Sequence, residues 1–305
     1  MAEEKKENKK RLIVIDSNAV IHRAYHALPP LKTKKGELVN AIYGFLLVFL
    51  KAIKELKPDY IAATFDLPAP TFRHQKYKLY KATRKKAPDE LYEQIPKVKE
   101  VLENFNVPIF EKKGFEADDL IGTISKKGGP EIETIILTGD LDALQLVDNN
   151  TKVYTLRKGV KDTVLYDIEK VKEKYGSLAP EQLVDFKALR GDPSDNIPGV
   201  PGIGEKTAIK LIKEFNNLEN LYFALDKVDQ PLRAKLEQYK DQAFVSKMLA
   251  EIKQDVPIDF NLEKCRWGYY NRDKVIKIFK DYEFKTLIGR LPDIKNNLSF
   301  SFKPR

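Results

Sequence analysis

Cysteine is almost absent from this chain: Cys265 is the only one in 305 residues. No internal disulfide and no thiolate zinc cluster can form, a composition that suits a reducing cytosol. Long apolar runs are missing as well. The longest, residues 41–50, is about half of what a membrane crossing needs. The opening MAEEKKENKK mixes both charge signs around no apolar core, so residues 1–10 read as a solvated tail rather than a signal peptide or anchor. Histidine is scarce. His22 and His26 lie four apart without an acidic motif beside them, and are read as packing or phosphate-contact residues rather than metal ligands. These absences predict a cytoplasmic protein with no membrane attachment.

Charge is what the chain has in quantity. Its 54 basic and 45 acidic residues leave a net +9, which favours a polyanionic partner without naming one. Three runs read as buried strands, and each ends in aspartate: RLIVID at 11–16, YIAATFD at 60–66 and TIILTGD at 134–140. Helical periodicity lies between them, as at 39–56 and 91–105, which predicts an α/β fold with a mostly parallel sheet and helices on both faces. Ligands bind such sheets at the carboxyl ends of the strands. Asp16, Asp66 and Asp140 should therefore meet in one cleft. From about residue 180 helical patterns take over, at 180–189, 205–215, 232–249 and 272–279, and a boundary is placed there.

More acids accompany these three. GFEADDLIGT opens a helix with Glu116, Asp118 and Asp119, more carboxylates than capping requires. TGDLDALQL adds Asp142, and GDPSDN adds Asp192 and Asp195, which alone would pass for turn and cap residues. If several of these share a cleft, their repulsion demands cations. An all-oxygen site without histidine or cysteine suits Mg²⁺ or Mn²⁺. Metal-assisted phosphoryl chemistry follows, with two ions about 4 Å apart and no side-chain nucleophile.

Residues 73–86, RHQKYKLYKATRKK, hold seven lysines and arginines, two tyrosines and no acid. A solvated charge run is the default for such a stretch, but beside an acidic cleft it supplies what a polyanionic substrate requires. On a helix Lys81 and Arg84 would share a face and serve the scissile phosphate, and Tyr77 and Tyr80 could stack on unpaired bases. GVPGIGEKT, at 199–207, resembles a phosphate loop only superficially, because Glu205 stands where the lysine belongs and no strand precedes it. It reads instead as a glycine turn between two helices. Gly199, Gly202 and Gly204 would let the backbone approach a phosphate, with Lys206, Thr207 and Lys210 alongside.

The segments VIDSNAVIHRAYHALPPL, TFDLPAPTFRHQKY, YKATR, GFEADDLIGT, LTGDLDALQLV and GDPSDNIPGVPGIGEKTA resemble the 5′-to-3′ exonuclease, or flap endonuclease, family, in particular the 5′ nuclease domain of bacterial DNA polymerase I. They spread from about residue 12 to 215, and the pattern continues to about 290. The resemblance implies one metal group of Asp16, Asp66, Glu116, Asp118 and Asp119, and a second of Asp140, Asp142, Asp192 and Asp195. Asp16, Asp119, Lys81 and Arg84 are implied as catalytic, and Arg23 and Arg73 as phosphate contacts. It also implies a helical arch over the site within 71–95, and a helix-three-turn motif at 185–215 that holds duplex DNA and a potassium ion. The implied layout is an α/β nuclease core at 11–180, a helical DNA-binding domain at 181–290 and a tail at 291–305. Lys85 and Lys86 stand where the family commonly has a proline pair, and SKKGGPEIETI is an irregular approach to the third strand.

The function so implied is Mg²⁺-dependent cleavage of 5′ flaps, nicks and 5′ ends of DNA, or of an RNA–DNA hybrid, in primer removal, Okazaki fragment processing and repair. The enzyme would be a monomer, either free-standing or joined to a DNA polymerase. A PIN-like ribonuclease would share the carboxylates but not the glycine hairpin and basic arch. A non-catalytic DNA-binding module would gain nothing from acids facing phosphates.

Overall fold

A computed structural model describes residues 9–294 of the chain. Six strands form one sheet in the order β3-β2-β1-β4-β5-β6: β1 Lys10–Asp16, β2 Tyr60–Thr64, β3 Ile109–Phe110, β4 Ile132–Thr138, β5 Thr151–Lys158 and β6 Asp162–Tyr166. The pairings are parallel except for β6, which returns antiparallel against β5 at the edge. Sequential strands lie to one side of β1 until the chain crosses to β4 on its other side. The carboxyl ends of β1 and β4 therefore flank the point where the winding reverses, the place such sheets form a crevice.

Between β1 and β2 run α1 Ser17–Ala27 and α2 Asn40–Leu56. After β2 come α3 Phe72–Lys76, α4 Asp89–Tyr92 and α5 Ile95–Asn104, and α6 Ala117–Gly128 leads into β4. Beyond the sheet lie α7 Ile168–Lys174, α8 Leu183–Arg190, α9 Glu205–Phe215, α10 Leu218–Phe223, α11 Leu232–Gln238 and α12 Lys240–Ala250. The described chain ends with α13 Arg272–Asp281 and α14 Lys285–Ile288. Among the described residues no helix is long and apolar enough to cross a membrane.

The continuous apolar run of β1 follows from burial of both its faces. Ile13 and Ile15 pack into a core with α1, α2 and α5, whereas Leu12 and Val14 enter a second core shared with α6, α8, α9 and α11. The helical part is thus docked on the sheet through common apolar residues. The chain then returns to the first core: Trp267, Tyr270, Phe279 and Phe284 pack against α2 and α5, and Trp267 N–H donates to the Asp59 carbonyl at 2.8 Å.

Several elements depart from the expected boundaries. The helix expected at 91–105 is split into α4 and α5 because Pro96, which cannot donate within a helix, sits at the start of α5. The helix expected at 232–249 breaks at Tyr239, with ψ 22°, into α11 and α12. The irregular approach to the third strand resolves into Gly129 at φ +81°, with β4 starting at Ile132. Strands β3, β5 and β6 were not expected. Of the two expected tails, residues 1–8 and 295–305 lie outside the described residues, while Lys10 begins β1 and Leu291 is buried.

Phe105, fully buried, meets Phe49, Trp267, Tyr270 and Phe279 at ring-centroid distances of 5.0–6.2 Å. Phe105→Ala removes the hub of this cluster and should cost about 3–5 kcal/mol. Chemical denaturation measures it, and a loss below about 1 kcal/mol would show that the returning segment does not depend on this contact.

Candidate active site

Acids from several elements crowd the carboxyl edge of the sheet, and hydrogen bonds tie them into a ladder. Asp16 ends β1 and is buried. Its Oδ1 accepts the Ala19 amide at 3.0 Å, capping α1, and its Oδ2 accepts the Thr138 hydroxyl at 2.6 Å. Thr138 closes the neighbouring strand β4, and its oxygen accepts the Asp140 amide at 2.9 Å. Asp140 Oδ1 accepts the Asp142 amide at 2.9 Å. On the other side, Asp66 follows β2, receives the Ala117 amide at 2.8 Å and donates its own amide to Asn18 Oδ1 at 3.1 Å. That bond draws the first turn of α6, with Glu116, Asp118 and Asp119, toward Asp16.

Crowding shows in the acidities. Burial pushes the Asp16 carboxyl up to about 7 against the bonds from Thr138 and Ala19, with the charges of Asp66 and Asp140 adding to it. Burial, then the charges of Asp16 and Asp140, raise Asp118 well above the usual carboxylate range. Asp142 is pushed to about 6, again chiefly by burial, although Lys187 opposes the shift. Asp66 reaches the surface, yet the cleft wall around it excludes enough water to raise its carboxyl too. Asp16, Asp66, Asp118, Asp140 and Asp142 thus lie within electrostatic reach of one another through their neighbours. Among the described residues, however, no group of three or more acidic, histidine or cysteine side chains is drawn close enough to hold one ion as they stand. Like charges spread apart, and protein cations lie between several of them.

Those cations come largely from the basic segment. Lys81 Nζ lies 3.0 Å from Glu116 Oε1 and 3.8 Å from Asp195 Oδ2, and Arg84 pairs with Asp195 Oδ1. The segment is helical only in α3. From there it runs through turns, with Lys81 at φ +55° and its amide donating to the Asp195 carbonyl at 2.9 Å. Lys81 and Arg84 therefore meet through Asp195 rather than through a shared helix face, and the expected helical arch is not formed over these residues.

Two further expectations for this region, for Tyr80 and Arg73, are corrected by burial. The Tyr80 ring is 3% exposed, and its hydroxyl donates to Glu116 Oε2 at 3.1 Å or Asp195 Oδ2 at 3.2 Å, so it is not free to stack on bases. Tyr77 is half-buried and packs against the same small cluster, around Ile197 and Leu249. Arg73 is 2% exposed and grips Asp119, so it does not face the solvent as a phosphate contact would. Arg23 is half-buried, with Nη2 3.4 Å from the Gly139 carbonyl.

The second acidic pair is held by a residue the sequence did not single out. Lys187 of α8 pairs with Asp142 and lies 2.7 Å from Asp192 Oδ2. Although burial raises it, the Lys187 charge, helped by bonds from Lys187 and Ser194, brings the Asp192 carboxyl down to about 2. Thr138, Asn18 and Lys187 carry no signal in their spacing, since each reaches the acids only through the fold.

In the glycine hairpin the three glycines have different duties. A Cβ on Gly199, at φ +61°, would lie 2.3 Å from the Gly191 nitrogen. Gly199 is required for backbone packing against the end of α8 and not, as expected, for approach to a ligand. Gly202, at φ +80°, permits the turn, and Gly204 faces open space as the N-cap of α9. No side chain caps that helix, and Lys206 and Lys210 are exposed beside it.

Residues 11–176 match the description "5′-3′ exonuclease, N-terminal resolvase-like domain", and residues 178–273 match "5′-3′ exonuclease, C-terminal SAM fold". The chain belongs to the 5′-3′ exonuclease family. DNA polymerase I of Bacillus subtilis is 45% identical over 285 residues, covering 93% of this chain and 32% of that protein. DNA polymerase I of Caldicellulosiruptor bescii is 46% identical over 284 residues, covering 92% and 33%. The chain thus spans about a third of the length of these curated relatives. Among solved structures, the T5 D15 protein co-crystallised with metal ions matches with a TM-score of 0.67 at 19% identity, covering 90% of this chain and 99% of that one. The catalytic core of Rad2 in complex with DNA substrate matches with a TM-score of 0.60 at 21% identity, covering 93% of each. These two likenesses concern the fold alone.

The raised carboxyls give the site a pH signature. A group protonated in the folded state but ionised in the unfolded chain loses stability as pH rises, here from the ordinary 3.8 toward 7 for Asp16. Asp192 works in the opposite sense, but its change is complete below its ordinary 3.8. In chelator, the thermal midpoint of the unsubstituted chain should fall relative to that of Asp16→Asn between about pH 5 and about pH 8, a comparison in which the opposite contribution of His22, whose pKa is lowered by burial, is common to both. A difference between the two midpoints that stays constant over this range would contradict the crowding.

Proposed function

We propose that the protein is a structure-selective 5′ nuclease that hydrolyses phosphodiester bonds of DNA, as a 5′-3′ exonuclease and a 5′-flap endonuclease. The observation that carries this reading is the crowding of Asp16, Asp66, Asp118, Asp140 and Asp142 at the winding reversal of the sheet, where burial and mutual repulsion raise the Asp16 and Asp118 carboxyls above their usual range. Such a set is under-neutralised. An all-oxygen donor group fits hard divalent cations such as Mg²⁺ or Mn²⁺, and the solved T5 proteins of this fold carry metal ions.

Asp16, Asp66, Glu116 and Asp118 would hold one ion, and Asp140, Asp142, Asp192 and Asp195 another. When bound, the ions supply an activated water and neutralise charge at phosphorus. The chain's own groups do the rest. Lys81 and Arg84, which now engage Glu116 and Asp195, are placed to exchange those partners for the phosphate oxygens of an entering 5′ strand. Arg23 would contact a phosphate from α1. The uncapped N-terminus of α9, with Gly202, Gly204, Lys206, Thr207 and Lys210, would hold the duplex backbone without reading sequence, and the hairpin would take a potassium ion. The Rad2 core bound to DNA substrate has the same fold. The similarity to DNA polymerase I supports a place in primer removal, Okazaki fragment processing and repair beside a polymerase activity, in cis or in trans.

End-labelled flap, nicked and blunt DNA, with single-stranded RNA as the contrast, test the reading with Mg²⁺ and with chelator. Cleavage of flap DNA only with metal is expected, and a preference for RNA would favour a ribonuclease instead. Asp118→Asn should lower kcat by about 10²-fold or more while DNA binding persists. Lys206→Ala with Lys210→Ala should weaken DNA binding and reduce the slope of log K against log salt by about one per lysine. An unchanged slope would remove the hairpin from the interface.

A further inference from the structure

Arg73 and Asp119 stand apart from the other charged residues of the site because neither has an unused hydrogen-bonding position. A guanidinium offers five N–H donors in a fixed fork. All five of Arg73 are taken: Nε by the Leu249 carbonyl at 2.9 Å, Nη1 by Asp119 Oδ2 at 2.8 Å and Glu116 Oε2 at 3.4 Å, and Nη2 by Asp119 Oδ1 at 2.8 Å and the Glu251 carbonyl at 2.6 Å. A carboxylate accepts at about four lone-pair positions. Asp119 uses them on the two Arg73 bonds, the Glu116 amide at 3.0 Å and the Lys253 amide at 2.9 Å. Its side chain is completely buried.

Their partners converge on one stretch of chain, residues 249–256, which runs along α6 after α12 ends. Gly122 of α6 makes room for it, since a Cβ there would lie 2.8 Å from the Lys253 carbonyl. Thr123 Oγ1 accepts the Val256 amide at 3.0 Å. The same stretch also grips the turn that carries Asp142: Gln145 Nε2 donates to the Ala250 carbonyl at 3.0 Å, and the Ile252 amide donates to Gln145 Oε1 at 2.9 Å. The two acid-bearing turns, one at the start of α6 and one after β4, are thus fastened to a common strap from the helical part.

We propose that Arg73 and Asp119 are a positioning pair, which fixes the Glu116–Asp118 turn against the 249–253 strap and touches neither metal nor DNA. The assignment rests on the nuclease reading of the site. It replaces the ligand and phosphate-contact roles that the family resemblance suggested for these two residues.

The test compares Arg73→Gln, Arg73→Lys, Asp119→Asn and the double variant R73Q/D119N in the whole chain. In chelator each single substitution should lower the thermal midpoint, and the double should lower it by less than the sum, because both break one unit. On flap DNA with saturating Mg²⁺, kcat should fall about tenfold or more while KM stays within about twofold. Arg73→Lys should not rescue, because an ammonium cannot span the Asp119 fork and two carbonyls.

Two outcomes would overturn the pair. One is Arg73→Gln with its midpoint intact, a raised KM and rescue by lysine, the behaviour of a phosphate contact. The other is Asp119→Asn with its midpoint intact in chelator and its activity restored by more Mg²⁺, the behaviour of a ligand. Failure of a variant to fold in chelator supports the pair, since neither rival role operates there. If the unsubstituted chain cleaves nothing, the nuclease reading falls, and the stability measurements in chelator still judge the strut.

Discussion

Repulsion between carboxylates is the constraint around which this molecule is arranged. The sheet delivers Asp16 and Asp140 to neighbouring strand ends, and α6 adds Asp118 between them, so negative charge accumulates where water is scarce. A fold tolerates that only if the charge is protonated, paired or met by a bound cation. All three occur or are invited here. Asp16 and Asp118 hold protons more tightly than usual, Lys187, Lys81 and Arg84 neutralise the outer acids, and the oxygen-only donor set suits divalent ions.

The internal cations give the site two kinds of positive charge with different prospects. Lys81 and Arg84 are on a turn segment that lies across the Asp192–Asp195 loop, and Arg84 is half exposed. The accessible Arg84 pair is weakly held and can change partners at little cost, whereas Lys81, at 21% exposed, is held more firmly against Glu116. Arg73 is enclosed, and its withdrawal would strand a buried carboxylate. Exchangeable and fixed cations therefore sit within a few residues of one another on the same basic stretch, and burial, not composition, separates them.

Much of this was legible in the sequence, for identifiable reasons. β1, β2 and β4 are buried on both faces and so appear as unbroken apolar runs, and each leads directly to an acid. β5 and β6 lie toward the edge, where Lys152 and Arg157 face outward and break the run, and the two-residue β3 is too short to leave a pattern. The nine acids were found because they are many and have no histidine or cysteine among them. What the sequence could not reveal was pairing across long separations. Arg73 and Asp119 are 46 residues apart, and their partners Leu249 and Lys253 lie 176 residues from Arg73 and 134 from Asp119. A basic residue in a basic stretch looks like a surface group until the fold encloses it.

The close approach at Gly199 has a mechanical consequence. With its α-carbon pressed against Gly191, the Val200 amide bonded to the Leu189 carbonyl at 2.8 Å and the Ile197 amide bonded to the Asp192 carbonyl at 2.8 Å, the end of α8, the acid-bearing loop and the start of α9 form one inflexible corner. The span from the exposed amides at Gly204 to Asp192 is then a built-in ruler. A strand gripped by the α9 terminus, as proposed, would be held at a set reach from the acids, so the length of that corner, and not a flexible search, would decide which bond along it comes under attack.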